Sequence, residues 1–352
     1  MITTFLATSA VALGLSAVFA VDPIVINKTT VPYFVEFKGY NGSLITKMLR
    51  DRIRTIARDA QALRGESVLS YFAEGESALS ALAGEFKIGG ILNALQDLSS
   101  LHAYSLACSI VDQGDDYKFT VKGETATGQL FSISVDGTRD IPTLVNNMAE
   151  RFIARVDPYI LSIYYLRKEY ESGNFEKALP IIEHSIRVLP VDRKPWVLNL
   201  RGRVFHRQGD YDSAIMKYRE ALALDPDFVP SMARWGLALI AKGDRERGLA
   251  KLHEALDKPS SHRYPIFFQV LGDLLATQGQ DDEARDIYVR GLRKNASNAG
   301  LQTSLAALYL RHNQFKPALN LLQKAATQQP TDPRVNSLLP QALAGRVALS
   351  LP

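Results

Sequence analysis

The chain has 352 residues, of which 46% are apolar, with 41 Lys and Arg against 37 Asp and Glu. Its length predicts about two or three domains, and its apolar content with a net charge of only +4 excludes a wholly disordered chain. The single cysteine, Cys108, excludes an intrachain disulfide framework and zinc sites that need several thiolates.

The first 26 residues are predicted to be a transmembrane anchor or a signal. Residues Ile2 to Val21 form a run of 20 without charge, which is long enough to cross the hydrocarbon core of a bilayer. A cleaved signal peptide is the alternative, but no Lys or Arg precedes the run as a signal requires. The sequence therefore favours a single-pass protein, of the bacterial inner membrane type. Lys28 and Lys38 follow the run and place the body in the cytoplasm by the positive-inside rule, although two lysines leave the membrane face open.

Residues 27–158 are predicted to form a small α+β domain. Residues 31–37 are expected to be extended, and apolar residues at spacings of three and four predict an amphipathic helix from Ser43 to Leu63. The further predicted elements, in chain order, are a helix over 88–98, strands over 104–111, 117–121 and 131–135, and a helix over 141–153.

The polar face of the helix that begins at Ser43 is basic. Its cations are Lys47, Arg50, Arg52, Arg54 and Arg58. They are expected either to be solvated or to contact anionic lipid head groups, because the helix follows the predicted anchor closely.

The order of elements in 27–158 resembles the TolB-like amino-terminal domain that precedes helical repeats in many bacterial envelope and regulatory proteins. The resemblance is carried by Phe34 to Phe37, by the helix with Leu49 and Ile53, and by the strands around the Gly114-Asp115 turn. It implies one compact domain ahead of the repeats.

A repeat dominates the chain from Tyr159 onward. Five turn residues stand 36, 34, 36 and 34 positions apart, namely Gly173, Gly209, Gly243, Gly279 and Asn313. Small residues recur seven positions before each turn, except for Leu166 in the first repeat, and again five and twelve positions after it. Mostly large residues recur nine positions after each turn, where they are expected to fill the gap between repeats. The pattern resembles tetratricopeptide repeats, in which each repeat is a pair of helices and the turn residue adopts a positive φ.

The resemblance predicts five helix pairs, over 159–192, 195–228, 229–262, 265–298 and 299–332, followed by a capping helix and tail over 333–352. The predicted fold is therefore mainly α. It has an amino-terminal transmembrane helix, a small α+β domain, and an α-solenoid of five tetratricopeptide-like pairs with its capping helix.

No catalytic motif is visible in the sequence. His253-Glu254 begins like a zinc-protease helix, but Asp257 stands where the second histidine would be needed. The chain is therefore predicted not to be an enzyme, and no cofactor or metal is expected.

A partner-binding groove is predicted on the concave face that the first helices of such arrays line. Residues 159–352 carry 27 Lys and Arg against 20 Asp and Glu, so the positive excess lies on the repeats. The predicted groove residues are Trp196, Asn199, Arg203, His206 and Arg207, with Arg167 and Arg234 in the neighbouring repeats. An acidic protein or peptide is the expected ligand, local ion pairing of these arginines is the alternative, and no nucleic acid is expected.

Three functions remain open from the sequence. The first is a membrane-tethered interaction scaffold or adaptor. The second is a regulatory or sensory subunit whose α+β domain binds a small ligand, and the third is a periplasmic binding protein with a cleaved signal.

Overall fold

The computed structural model describes residues 24–60, 104–125 and 128–348. They divide into two compact units, unit 1 up to Val188 and unit 2 from Leu189. No helix among these described residues is long and apolar enough to cross a membrane. The uncharged run 2–21 and the helix predicted over 88–98 lie outside the described residues.

Unit 1 contains a four-stranded sheet. Its strands are β1 (Ile24–Thr30), β2 (Tyr104–Asp112), β3 (Tyr117–Thr125) and β4 (Leu130–Thr138), and they lie side by side in that order. β1 pairs with β2 in parallel, whereas β2, β3 and β4 pair antiparallel. The alternating apolar residues of the last three strands are therefore in strands, as the sequence predicts.

The start of unit 1 differs from the sequence expectation. Residues 31–37 are not extended: a short helix, α1 (Tyr33–Phe37), begins directly after Pro32, whose carbonyl accepts hydrogen bonds from Val35 and Glu36. The extended segment is instead β1, which includes Ile24 to Ile26 from the predicted anchor region 1–26. Proline is common in the first turn of a helix, which explains why α1 begins after Pro32. The β-branched residues of β1 favour a strand, and their pairing places the extended segment earlier in the chain than predicted.

Two helices cover one face of the sheet, α2 (Gly42–Ala60) and α3 (Ile141–Val156). α2 starts close to β1, because a Cβ on Gly42 would lie only 2.3 Å from the carbonyl oxygen of Thr29. The core between helices and sheet is apolar and fully buried. Its members include Ile45, Leu49, Ile53, Ile56, Leu106, Ile110, Phe119, Val121, Leu144, Met148 and Phe152.

The first helix pair, α4 (Pro158–Tyr170) and α5 (Ala178–Val188), belongs to unit 1 rather than to the rest of the repeats. α4 is buried on nearly all sides from Tyr159 to Leu166, because α2, α3 and α5 surround it. Arg52 of α2 forms an ion pair with Glu150 at 3.5 Å and donates to the Tyr164 hydroxyl at 3.1 Å. The α+β domain and this pair thus share one core.

Unit 2 consists of four further helix pairs and a last helix. Their bounds are α6 (Lys194–Arg207), α7 (Tyr211–Leu224), α8 (Val229–Lys242), α9 (Arg245–Asp257), α10 (Pro265–Ala276), α11 (Asp281–Lys294), α12 (Ala299–Arg311), α13 (Phe315–Gln328) and α14 (Pro333–Ala348). Gly209, Gly243, Gly279 and Asn313, between the helices of each pair, all have positive φ. The predicted left-handed turns are confirmed.

Tyr218 and Tyr288, nine positions after their turns, pack within their own pairs, and Tyr218 also clusters with Ala238 of the next repeat, as expected. A Cβ on Gly202 would lie 2.3 Å from the ring of Tyr218, and Gly272 has the same relation to Tyr288. A glycine on one helix therefore makes room for a tyrosine on the other. Successive repeats also meet where Gly291 of α11 lies against Leu301 of α12.

Candidate partner-binding surface

The helices of unit 2 fall into two sets with different charge. The first helices are α6, α8, α10 and α12, followed in the same position of the repeat by α14, and the second helices are α7, α9, α11 and α13. The first helices carry nine Lys and Arg against a single acid, Asp273. The nine are Lys194, Arg201, Arg203, Arg207, Arg234, Lys242, Arg311, Arg334 and Arg346.

The second helices are nearly neutral, with eleven Lys and Arg against nine Asp and Glu. Many of these charges pair along their own helix, as Lys217 does with Glu220 at 2.8 Å and Lys251 with Glu254 at 2.5 Å. Such pairs add little stability at the surface, but they leave the second helices without a strong field.

Two cations of the first helices reach acids of the second helices. Lys242 binds Asp212 at 2.5 Å, and Arg311 binds Asp281 at 2.8 Å. Both cations stand at the carboxyl ends of their helices, where a positive charge also interacts favourably with the helix dipole. They link the turn ends of successive pairs and are partly neutralised there.

Other cations of the first helices contact uncharged groups of a neighbouring repeat. The Arg234 guanidinium lies 5.7 Å from the ring centre of Phe267, and Arg334 donates to the Ser304 hydroxyl at 3.2 Å. These contacts place the side chains without neutralising them. The first helices therefore present a positive surface, which we call the first-helix surface.

Asp273 is the only acid on the first helices, and its carboxylate already has a hydrogen-bond partner. Its carboxylate accepts a hydrogen bond of 2.6 Å from the Tyr288 hydroxyl. Burial and this bond raise the pKa of Tyr288, while Arg311 and Arg334 oppose the rise. Asp273 stands at the same place in its repeat as Arg203, one residue after the glycine, so one position carries opposite charges in two repeats.

Trp196 and Asn199, the amino-terminal half of the predicted groove residues on α6, pack against the start of α8. Trp196 is half-buried and packs edge to face on Phe228, with ring centres 4.7 Å apart. Asn199 is 6% exposed and donates to the buried Ser231 hydroxyl at 3.0 Å. Both side chains thus have structural contacts, and their role in binding a ligand stays a prediction.

The carboxyl-terminal half of α6 carries the more accessible groove residues. Arg207 is exposed, whereas Arg203 and His206 are half-buried. The His206 ring lies edge to face against Tyr211, with ring centres 5.3 Å apart. Burial lowers the pKa of His206, and the nearby positive charge of Arg234 lowers it further. The groove predicted for His206 and Arg234 stays a prediction.

Family models for tetratricopeptide repeats match three overlapping stretches of unit 2, over residues 202–243, 234–300 and 275–342. In the structure, these stretches form helix pairs joined by turn residues with positive φ. This chain is a tetratricopeptide repeat protein.

Tetratricopeptide repeat protein 7A of Homo sapiens is 33% identical over 135 residues, which are 38% of this chain and 15% of that protein. Photosystem I assembly protein Ycf3 of Acaryochloris marina is 32% identical over 83 residues, which are 24% of this chain and 46% of that protein. A solved thermophilic TPR protein of Thermus thermophilus shares 23% identity with a TM-score of 0.42, covering 53% of this chain and 98% of that one. The chain thus spans less than half of these curated relatives. The resemblance of residues 27–158 to TolB-like domains stays a prediction.

Arg167, the predicted groove residue of the first tetratricopeptide repeat, is turned toward the α+β domain. It donates to the carbonyl oxygen of Ala60, the last described residue of α2, at 3.4 Å. Arg167 belongs to unit 1, whereas the other predicted groove residues belong to unit 2.

Sequence reasoning missed seven charged residues of the first-helix surface, namely Lys194, Arg201, Lys242, Asp273, Arg311, Arg334 and Arg346. The signal was available in the tetratricopeptide register, because Arg334 stands where Trp196 stands in its own repeat. Aligning each repeat on its turn residue and counting charge by helix would have found them.

Two features of the described residues bear on possible chemistry. No group of three or more His, Cys, Asp or Glu among them could hold a metal ion. Burial raises the pKa of the Cys108 thiol to about 11, so it stays protonated at neutral pH and is a poor nucleophile.

Proposed function

We propose that this tetratricopeptide repeat protein is a non-catalytic adaptor that binds an acidic segment of a partner protein along its first-helix surface. One observation carries the proposal, namely nine cations against one acid on the first helices, beside nearly balanced second helices in the same unit. Such a separation of charge favours an acidic ligand and speeds its encounter with the surface.

The chemistry of the surface suits carboxylates. Arg203, Arg207 and Arg234 offer planar guanidinium groups, which bind carboxylates through two parallel hydrogen bonds better than an ammonium group does. Arg234 is already held over Phe267, so it loses less side-chain freedom when a ligand binds.

A labelled acidic peptide tests this proposal directly. A fluorescein-labelled peptide of alternating Glu and Leu should raise its anisotropy with the full chain, and the same peptide with Gln for Glu should not. The affinity for the Glu peptide should fall as salt rises, because exposed charges are screened. Equal affinity for both peptides at every salt concentration would show that the first-helix surface does not select acidic partners.

We further propose that residues 2–21 tether the adaptor to a membrane. The run has no charge over 20 residues and ends shortly before β1. Deleting residues 1–23, which leaves β1 whole, should release the protein from membranes. Extraction of the full chain by carbonate, with its original amino terminus intact, would contradict the tether, and a terminus trimmed at Val21 would instead indicate a cleaved signal.

A second candidate function rests on a shallow depression of about 500 Å³ along the sheet of unit 1. Asn27, Ala107, Lys122 and Phe131 are among its lining residues, so it offers both polar and apolar contacts. A regulatory ligand bound there should raise the melting temperature of the chain in a small-molecule screen. Ala107→Trp, which would fill the depression from an exposed position, should abolish that rise. The sensory hypothesis fails if no compound passes both steps.

A further inference from the structure

Helix α1 exposes three aromatic side chains within five residues. Tyr33 is 80% exposed, Phe34 58% and Phe37 82%, and only Val35 of this helix is buried. Single exposed aromatic residues are common on protein surfaces, but a contiguous group marks a surface that contacts something else.

The group also contains a cation. The Lys38 amino group lies 5.5 Å from the ring centre of Phe34 and 5.8 Å from that of Tyr117, which is fully buried. Rings with an exposed apolar body next to a lysine suit the boundary between lipid head groups and acyl chains. Glu36 is exposed too, so α1 with Lys38 has no net charge and requires no anionic lipid.

The position of α1 in the chain indicates what covers it. Only Asp22 and Pro23 separate the uncharged run from Ile24, and α1 follows the other end of β1 after Val31 and Pro32. A strand of this length spans about 23 Å. β1 is an edge strand of the described sheet. When this edge lies along a flat surface, both ends of β1 contact that surface.

We propose that α1 lies in the interfacial layer of the bilayer that holds residues 2–21, with Tyr33, Phe34 and Phe37 among the head groups and upper acyl chains. This inference rests on the proposed membrane tether. It adds an orientation, because the β1 edge of the sheet then lies along the membrane and unit 1 cannot turn freely on its tether.

A fluorescent label at Phe37→Cys tests the inference in the full chain. The only native cysteine, Cys108, is 4% exposed with its pKa raised by burial, so a thiol-reactive NBD probe labels position 37 selectively. The labelled chain is reconstituted into phosphatidylcholine vesicles, with or without lipids that carry a nitroxide near the head group. The control carries the label at Met216→Cys, a 55% exposed position on α7 of unit 2.

We expect a blue shift and strong nitroxide quenching at position 37, and neither at position 216. Adding Tyr33→Ser and Phe34→Ser to the labelled chain should reduce both signals while its melting temperature stays the same, because these side chains are exposed. A chain that floats with vesicles but is quenched equally weakly at both positions overturns this inference and leaves the tether intact. A chain that does not float overturns both.

Discussion

The two helix sets of unit 2 share one packing scheme but differ in charge. Glycine or alanine on a first helix meets a large residue on the second helix of its pair, as Gly202 meets Tyr218 and Gly272 meets Tyr288. The buried sides therefore follow one rule in successive repeats. The exposed sides do not, because the second helices balance their charges and the first helices carry cations with almost no acids.

This difference teaches that packing and recognition use separate positions of the same repeat. Packing constrains the positions between helices, where volume decides stability. The outer positions of both helix sets are free of that constraint. The separation of charge between the sets is therefore not required for folding, and we interpret it as a feature of recognition. Four experiments can break or sharpen this comparison.

The largest effect is expected from reversing charge on the first-helix surface. Arg203→Glu with Arg207→Glu should weaken binding of the acidic peptide about 100-fold, or about 2.7 kcal/mol, because attraction becomes repulsion. Lys316→Glu with Lys324→Glu makes the same change in net charge at exposed positions of α13, a second helix, and should leave binding nearly unaltered. Equal losses in both variants would mean that total charge, not the helix set, determines binding.

The next effect concerns the packing positions. Ala221 of α7 is fully buried, and Ala221→Leu should lower the free energy of unfolding by about 1–3 kcal/mol through overpacking. Ala223 lies two residues further on the same helix and is exposed, so Ala223→Leu should melt like the native chain. Thermal melts of the two variants that coincide would show that the repeat register is wrong.

A smaller effect is expected where the two helix sets share a hydrogen bond. Tyr288→Phe removes the bond to Asp273 and should cost about 1 kcal/mol. Because the folded-state pKa of Tyr288 is raised, its protonated form supports the fold below pH 10, and that support is lost as pH rises above this value. Denaturant titrations above pH 10 should show a shallower decline for Tyr288→Phe than for the native chain, and parallel declines would contradict the bond.

The smallest effect should come from His206. Its folded-state pKa is lowered by burial and by Arg234, so the unfolded chain binds this proton more readily and stability falls as pH drops below about 6.5. Melting temperatures at pH 7.5 and 5.5 should differ more for the native chain than for His206→Gln. An identical loss in both proteins would contradict the lowered pKa of His206 and the burial of its ring.

Local patterns predicted most of the helices, the three antiparallel strands and every turn of unit 2. Positive φ at Gly243 and Asn313 follows from residue type, and Asp210, whose carboxylate accepts from the Ser213 N–H at 3.0 Å, caps α7. The extended segment expected over 31–37 was wrong, because a strand is decided by its pairing partner and that partner, β2, is distant in the chain.

Four residues of the predicted site have side chains that a ligand can reach, and their role in binding stays a prediction. Arg203, His206, Arg207 and Arg234 are in unit 2 with accessible or partly accessible side chains, and His206 and Arg234 influence each other. Trp196 and Asn199 could not be judged from spacing alone, because a helix face that meets a groove also meets the neighbouring helix. Their contacts with Phe228 and Ser231 depend on the next repeat.

The sequence by itself determined the repeat, its turns and the charge of each helix, because these depend on residue type and on spacing along one chain. Only the tertiary structure determined which side chains bind neighbouring groups. Arg167, for example, donates to the carbonyl of Ala60, and Arg52 forms an ion pair with Glu150. It also joined the first helix pair to the α+β domain. These outcomes depend on contacts between residues far apart in sequence, whose partners no local pattern specifies.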